Sequence, residues 1–243
     1  MATLPAYLFF CGQKHGSLPI KRLQYIGSLP YLSYEGVVTN LVDTFNIYVQ
    51  GEYLIYTNEN TVITKTEIKK ISTNYFGMKK EKDFGFFYNK LDTKNGRKMI
   101  ADSFLSVRNM KLCANNFKLS PTDSLIKRIY KKHNVFEREL YLPQEKVFRK
   151  LNINNQDSLA ILYDDKLNWT NLSISRNLDS LSNSKVTKII LYYGSHFYPE
   201  HKIKMPEHYV LIQFTEQPLD IPVETINALF DRTRKAYNEA YPK

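Results

Sequence analysis

Three histidines stand close together late in the chain, His196, His201 and His208, with Glu200 and Glu207 between them. Imidazole and carboxylate together can hold zinc. Their spacings match no helical metal-binding motif, and Pro199 and Pro206 interrupt the segment, so a loop joining two strands accounts for it more simply. Cys11 or Cys113 could act as a nucleophile with His15 or His133 as its base, but no local signature surrounds either cysteine. Asp164-Asp165 is a carboxylate pair at a place where the chain is expected to turn. The glycine patterns of the common phosphate loops are missing, and so is Gly-x-Ser-x-Gly. These residues therefore assign no catalytic group, cofactor or metal, and the expectation is a protein that is not an enzyme.

Charge supplies the one candidate binding site. The chain of 243 residues carries 34 Lys and Arg against 24 Asp and Glu, a formal +10. Lys79, Lys80 and Lys82 cluster, and Lys127, Arg128, Lys131 and Lys132 load one predicted helix on the side opposite Leu125 and Ile129. Such a cationic amphipathic face suits phosphates, as in nucleic acid, or an anionic membrane. An ordinary solvated face is the plain alternative, and neither an RNP-type aromatic signature nor zinc-finger spacing accompanies it.

The elements that must position these groups follow from periodicity. Residues 1–44 read as irregular: Pro5, Pro19 and Pro30 discourage helix, and Gly16-Ser17-Leu18-Pro19 recurs as Gly27-Ser28-Leu29-Pro30. So apolar and irregular a segment must bury its side chains somewhere, and exchange between subunits is one way. Residues 45–56 read as a hairpin turning at Gln50-Gly51. Thr61–Ile71 suits strand or helix. A second hairpin is expected around Asn95-Gly96, from Phe84–Leu91 to Arg97–Cys113. Ser120-Pro121-Thr122-Asp123 has the chemistry of a helix start, and the helix is expected to reach His133. A shorter helix is expected at Gln144–Leu151. Strands are expected at Ser158–Tyr163, Leu167–Ser175, Val186–Tyr193 and Tyr209–Phe214. A closing helix spans about Ile221 to Tyr241, with Val223, Ile226, Leu229, Phe230, Thr233 and Tyr237 on one face and Asp220 as its cap. Arg232, Arg234 and Lys235 would complement the negative end of its dipole. The fold class is α+β: mainly antiparallel sheet with a mid-chain helical segment and a C-terminal amphipathic helix, in a single domain over 1–243.

Composition bounds the class. Hydrophobic residues make up 43% and charged residues 24%, with only 9 Gly and 10 Pro, which excludes disordered, collagen-like and low-complexity chains. No apolar run reaches the ~18 residues of a membrane helix. The first residues lack the basic start of a signal peptide, so an intracellular setting is expected. Two cysteines are too few for a disulfide framework, which leaves two thiols or a single bridge. The sequons at Asn168 and Asn171 then read as chance. The 18 Tyr and 14 Phe suit surfaces that meet other surfaces, although codon bias would enrich them too.

The stretch Ile47-Tyr-Val-Gln-Gly-Glu-Tyr-Leu-Ile-Tyr-Thr-Asn-Glu-Asn60 resembles the strand region of cypovirus polyhedrins, and Val223 to Tyr241 has a similar apolar-aromatic rhythm. The resemblance implies a viral structural protein whose main partner is itself, packing into an intracellular crystal around virions that dissolves in alkali. Tyr and Lys titrate near pH ~10 and ~10.4. With nine Arg left against all carboxylates and phenolates, the charge would swing from +10 to −33. A basic matrix-like or nucleic-acid-binding protein is the alternative expectation.

Overall fold

The computed structural model of the chain describes residues 18–32, 38–63, 68–105, 123–130, 136–143, 156–198 and 203–241. Their strands are β1 (Lys21–Leu32), β2 (Val38–Gln50), β3 (Tyr53–Ile63), β4 (Ile68–Lys79), β5 (Phe84–Tyr88) and β6 (Arg97–Ile100), then β7 (Asp123–Tyr130), β8 (Phe136–Pro143) and β9 (Gln156–Asp164), and last β10 (Lys185–Tyr193), β11 (His196–Tyr198), β12 (Ile203–Met205) and β13 (His208–Gln217). The helices are α1 (Ala101–Leu105), α2 (Arg176–Ser182) and α3 (Val223–Ala240).

Eleven strands form one antiparallel sheet, in the order β6-β5-β4-β3-β2-β1-β13-β10-β9-β8-β7, and β11 and β12 pair separately. Six successive strands fold as one meander, a second runs from β7 to β10, and β13 pairs with β1 to join them. The seam is filled by aromatic rings. Tyr25 of β1 stacks on Phe45 of β2 at 4.9 Å and on Phe214 of β13 at 4.5 Å, because register places all three side by side.

Alternation along the strands divides the side chains between two faces. Phe45, Ile47 and Val49 point to one face, with Leu23, Tyr25, Leu54, Tyr56, Phe76, Met78, Ile161, Ile189, Ile212 and Phe214. Phe104 of α1, Leu178 of α2 and the connecting Leu167 and Ile174 cover it. Tyr48, Ile55, Tyr75, Phe84, Phe86 and Tyr88 point the other way, beneath Ile226, Leu229, Phe230 and Tyr237 of α3. Full burial of a large apolar side chain stabilises by about 1.5–3 kcal/mol, so these four anchor the helix. Gly77 on β4 permits the close approach: a Cβ there would stand 2.3 Å from Thr233 Oγ1.

Large antiparallel sheet and a closing helix agree with the expected class, but helix is scarcer than expected. The mid-chain helix is replaced by a strand over Asp123–Tyr130. Its apolar residues are short in span and rich in Ile, and a run of eight cannot distinguish helix from strand by period alone. The first 44 residues are not irregular throughout, since β1 and most of β2 lie among them, paired in the middle of the sheet. Leu167–Ser175 is no strand. A 3-10 turn over Asp165–Leu167 leads through a loop into α2, whose cap Ser175 accepts from Leu178 N–H. Asn183, in the left-handed conformation, ends α2. The expected hairpin at 45–56 turns over residues 51 and 52. Of Thr61–Ile71, residues 61–63 end β3, residues 68–71 begin β4 and the rest lie outside the described residues, while β6 passes directly into α1. The expected helix at Gln144–Leu151, both cysteines and their candidate bases His15 and His133 lie outside the described residues.

Candidate functional site

The candidate cationic site does not keep its helical face. Lys127 and Arg128 lie on β7, in register with Leu140 and Glu139 of β8, because the segment is a strand. Lys131 and Lys132 lie outside the described residues. Among the described residues β7 pairs on one side only, with β8.

Nor do the histidines assemble a described metal centre. His196 is on β11 and His208 opens β13, while His201 lies outside the described residues. The His208 ring lies parallel to Tyr193 at 5.1 Å, and its Nδ1 is 2.9 Å from the Pro206 carbonyl oxygen. Among the described residues no three His, Cys, Asp or Glu side chains are placed to hold a metal ion. Asp164 is a turn residue as expected: its carboxylate accepts from Lys166 N–H at 2.9 Å.

A polar network that the sequence did not signal occupies the α3 face where β1, β2 and the helix start meet. Arg22 is its centre. Its Nε donates to Asn46 Oδ1 at 3.0 Å, Nη1 to the Pro218 carbonyl at 2.8 Å, and Nη2 pairs with Asp220 Oδ2 at 2.9 Å. Tyr48 Oη donates to the other Asp220 oxygen at 2.5 Å, and Gln24 also donates to Asn46 Oδ1. Asp220 is thus not the helix cap. Pro222 takes that position with no side-chain cap, and the Asp220 carboxylate turns to the sheet. The basic residues Arg232, Arg234 and Lys235 do not lie in the last turn either, since α3 continues to Ala240.

Two residues further along β2, Gln50 is almost fully buried and ties that strand to α3 and to the residues before β1. It donates to the Leu18 carbonyl at 3.0 Å and to Asn227 Oδ1 at 2.9 Å, and it accepts from Arg234. A buried amide so fully partnered costs little, whereas removing one partner would leave a desolvated group.

The electrostatics of this network oppose chemistry. Burial pushes the Tyr48 phenol far above the ordinary tyrosine range, and the bond to Asp220 and its charge push the same way. Tyr75 is raised by burial first, then by Asp220 and Glu59. Neither phenol is a base or a nucleophile near neutral pH. Arg22 and Asp220 spend their donors and acceptors on the fold. A second lock lies beneath α2: Asp179 accepts from Val186 N–H at 2.8 Å and pairs with the largely buried Lys185 at 2.9 Å.

No protein-family model matches the chain, and no curated protein matches it either.

Proposed function

We propose that the chain is a non-enzymatic structural protein that assembles with copies of itself. The observation that carries this reading is the part of the α3 face that α3 leaves open. Alternation from Tyr48 puts Val42 on that face, Ile71 is exposed at a bulge of β4, between Lys70 paired with Thr61 and Ser72 paired with Asn60, and Tyr209 follows from the pairing of Gln217 with Arg22. Their exposures are 57%, 63% and 42%. Half-exposed Ile26, Ile190 and Leu211 share the face between them. Exposed apolar side chains gathered on one sheet face favour contact with another apolar surface. A second copy presents the same face, and two such faces can pack as sheets do, about 10 Å apart. The resemblance to occlusion-body proteins supports the same reading.

The test is sedimentation velocity of the purified full chain, with electron microscopy of the pellet from expressing insect cells. Association should rise with protein concentration, and with salt, because screening relieves the repulsion between +10 chains. Val42→Lys with Ile71→Lys should abolish it. A chain that stays monomeric at every concentration and leaves no ordered pellet overturns the reading.

A further inference from the structure

We infer that the β5–β6 edge of the sheet, where it meets the last turn of α3, binds single-stranded nucleic acid. Residues 79 to 98 hold seven cations, Lys79, Lys80, Lys82, Lys90, Lys94, Arg97 and Lys98, against Glu81, Asp83 and Asp92. With Glu52, which pairs with Lys79, counted as well, the local excess is three. Lys79 is occupied by Glu52 at 3.0 Å. The other six form no ion pair with any described residue.

What sets this edge apart from an ordinary solvated surface is its aromatic framework. Lys98 is in register with Phe86 and so shares the α3 face, and its Nζ sits 4.4 Å from the centre of the Phe84 ring. Phe84 in turn lies 5.8 Å from Tyr241, which follows the last residue of α3. Lys82 Nζ is 6.0 Å from the Tyr241 ring. Tyr241 is 58% exposed, and Ile100, in register with Phe84, is equally open. On the opposite face Arg97 sits 5.6 Å from the Phe87 ring. Lys90 and Lys94 extend the positive edge along the exposed loop between β5 and β6.

An accessible aromatic ring between cations is the minimal arrangement for a single strand: phosphates meet the cations and an unstacked base lies on the ring. A duplex offers no free base face to Tyr241, and an inorganic polyanion has none. Because β6 is a short edge strand bearing Arg and Lys, it disfavours the strand addition that a protein partner would use. This site is separate from the open sheet face proposed for assembly, so either can fail alone.

The test is fluorescence anisotropy of a labelled oligo(dT) of about twelve nucleotides, titrated with the full chain at dilutions where it is monomeric. Contact by Lys82, Lys90, Lys94 and Lys98 gives a log–log salt slope of about −2.8, or roughly fifty-fold weaker binding from about 50 to 200 mM salt. Lys82→Ala with Lys98→Ala should halve that slope. Tyr241→Ala should weaken oligo(dT) at least about five-fold. It should leave inorganic polyphosphate binding unchanged. Lys127→Ala with Arg128→Ala should leave oligo(dT) binding unchanged, and circular dichroism verifies that each variant folds. The inference is overturned if oligo(dT) does not bind at low salt, if the double lysine variant keeps the full slope, if Tyr241→Ala binds within two-fold of the parent, or if a duplex binds as tightly.

Discussion

Replacing Tyr56 by Phe should leave stability nearly unchanged at pH 8 and raise it in alkali. Tyr56 lies on β3 in the face covered by α1 and α2, and it is buried. Burial is what pushes its phenol well above the ordinary range, and no hydrogen bond to a described residue opposes that. In the unfolded chain a tyrosine ionises near pH ~10. Below that value both states hold the proton and pH has no effect. Above it the unfolded state releases a proton that the folded state retains, so stability falls as pH rises, until the raised folded value is reached. At pH 11 the loss is RT ln(1 + 10), about 1.4 kcal/mol for one such tyrosine. Tyr56→Phe escapes it. Urea unfolding followed by far-UV circular dichroism should therefore give parent and variant within about 0.5 kcal/mol at pH 8. At pH 11 the variant should lead by about 1.4 kcal/mol. If the two lose stability in parallel across that range, Tyr56 is not held neutral and the reasoning fails. The same linkage applies to Tyr48, Tyr75, Tyr88 and Tyr237, all raised chiefly by burial. Burial raises Tyr193 as well, so each of these phenols adds to the loss of stability in alkali. The charge of −33 expected from full ionisation is thus not reached while these cores stay folded.

Four further substitutions test these contacts. Gly77→Ala forces a Cβ to within 2.9 Å of Thr233 Cγ2 as well as against its hydroxyl, and should cost about 1–3 kcal/mol in denaturant. A double-mutant cycle with Thr233→Ala should recover part of that loss. Asp179→Ala strands the largely buried Lys185 and should cost about 3–5 kcal/mol in thermal unfolding. Lys235→Ala, which breaks only the exposed pair with Glu239, should change stability by less than about 0.5 kcal/mol. Asp220→Asn weakens the bonds from Arg22 and Tyr48 and should cost about 1–3 kcal/mol in denaturant.

What was legible in the sequence is what a local period can encode. Phe45, Ile47 and Val49 alternate and are a strand, and Ile226, Leu229, Phe230, Thr233 and Tyr237 recur at helical spacing and are a helix. Errors came where local signals compete. Gly27-Ser28-Leu29-Pro30 reads as a breaker, yet it continues β1, because each of its residues finds a partner on β2. Ser120-Pro121-Thr122-Asp123 reads as a helix start, yet β7 begins at Asp123 and pairs with β8. Ser175 and Asn183 have the chemistry of helix ends and bound α2, while the apolar run before them has the composition of a strand. The polar network was not legible at all. Asp220 satisfies the chemistry of a helix cap and equally that of a partner for Tyr48, 172 positions away, and only the tertiary path decides between them.

The open face beside α3 shows where period stops and geometry takes over. Val42 and Tyr48 have the same phase on β2, so alternation assigns them one face and one apparent fate. Tyr48 is buried and Val42 is exposed. The difference is length. β2 has 13 residues and spans about 43 Å at ~3.3 Å each, whereas the 18 residues of α3 reach about 27 Å at ~1.5 Å each, with a width near 10 Å. In no orientation can such a helix shelter the whole face of such a strand. Some apolar positions in phase with the core must lie outside its cover, and Val42 is such a position. A longer α3 would have made it core; with this one it remains available to a second molecule.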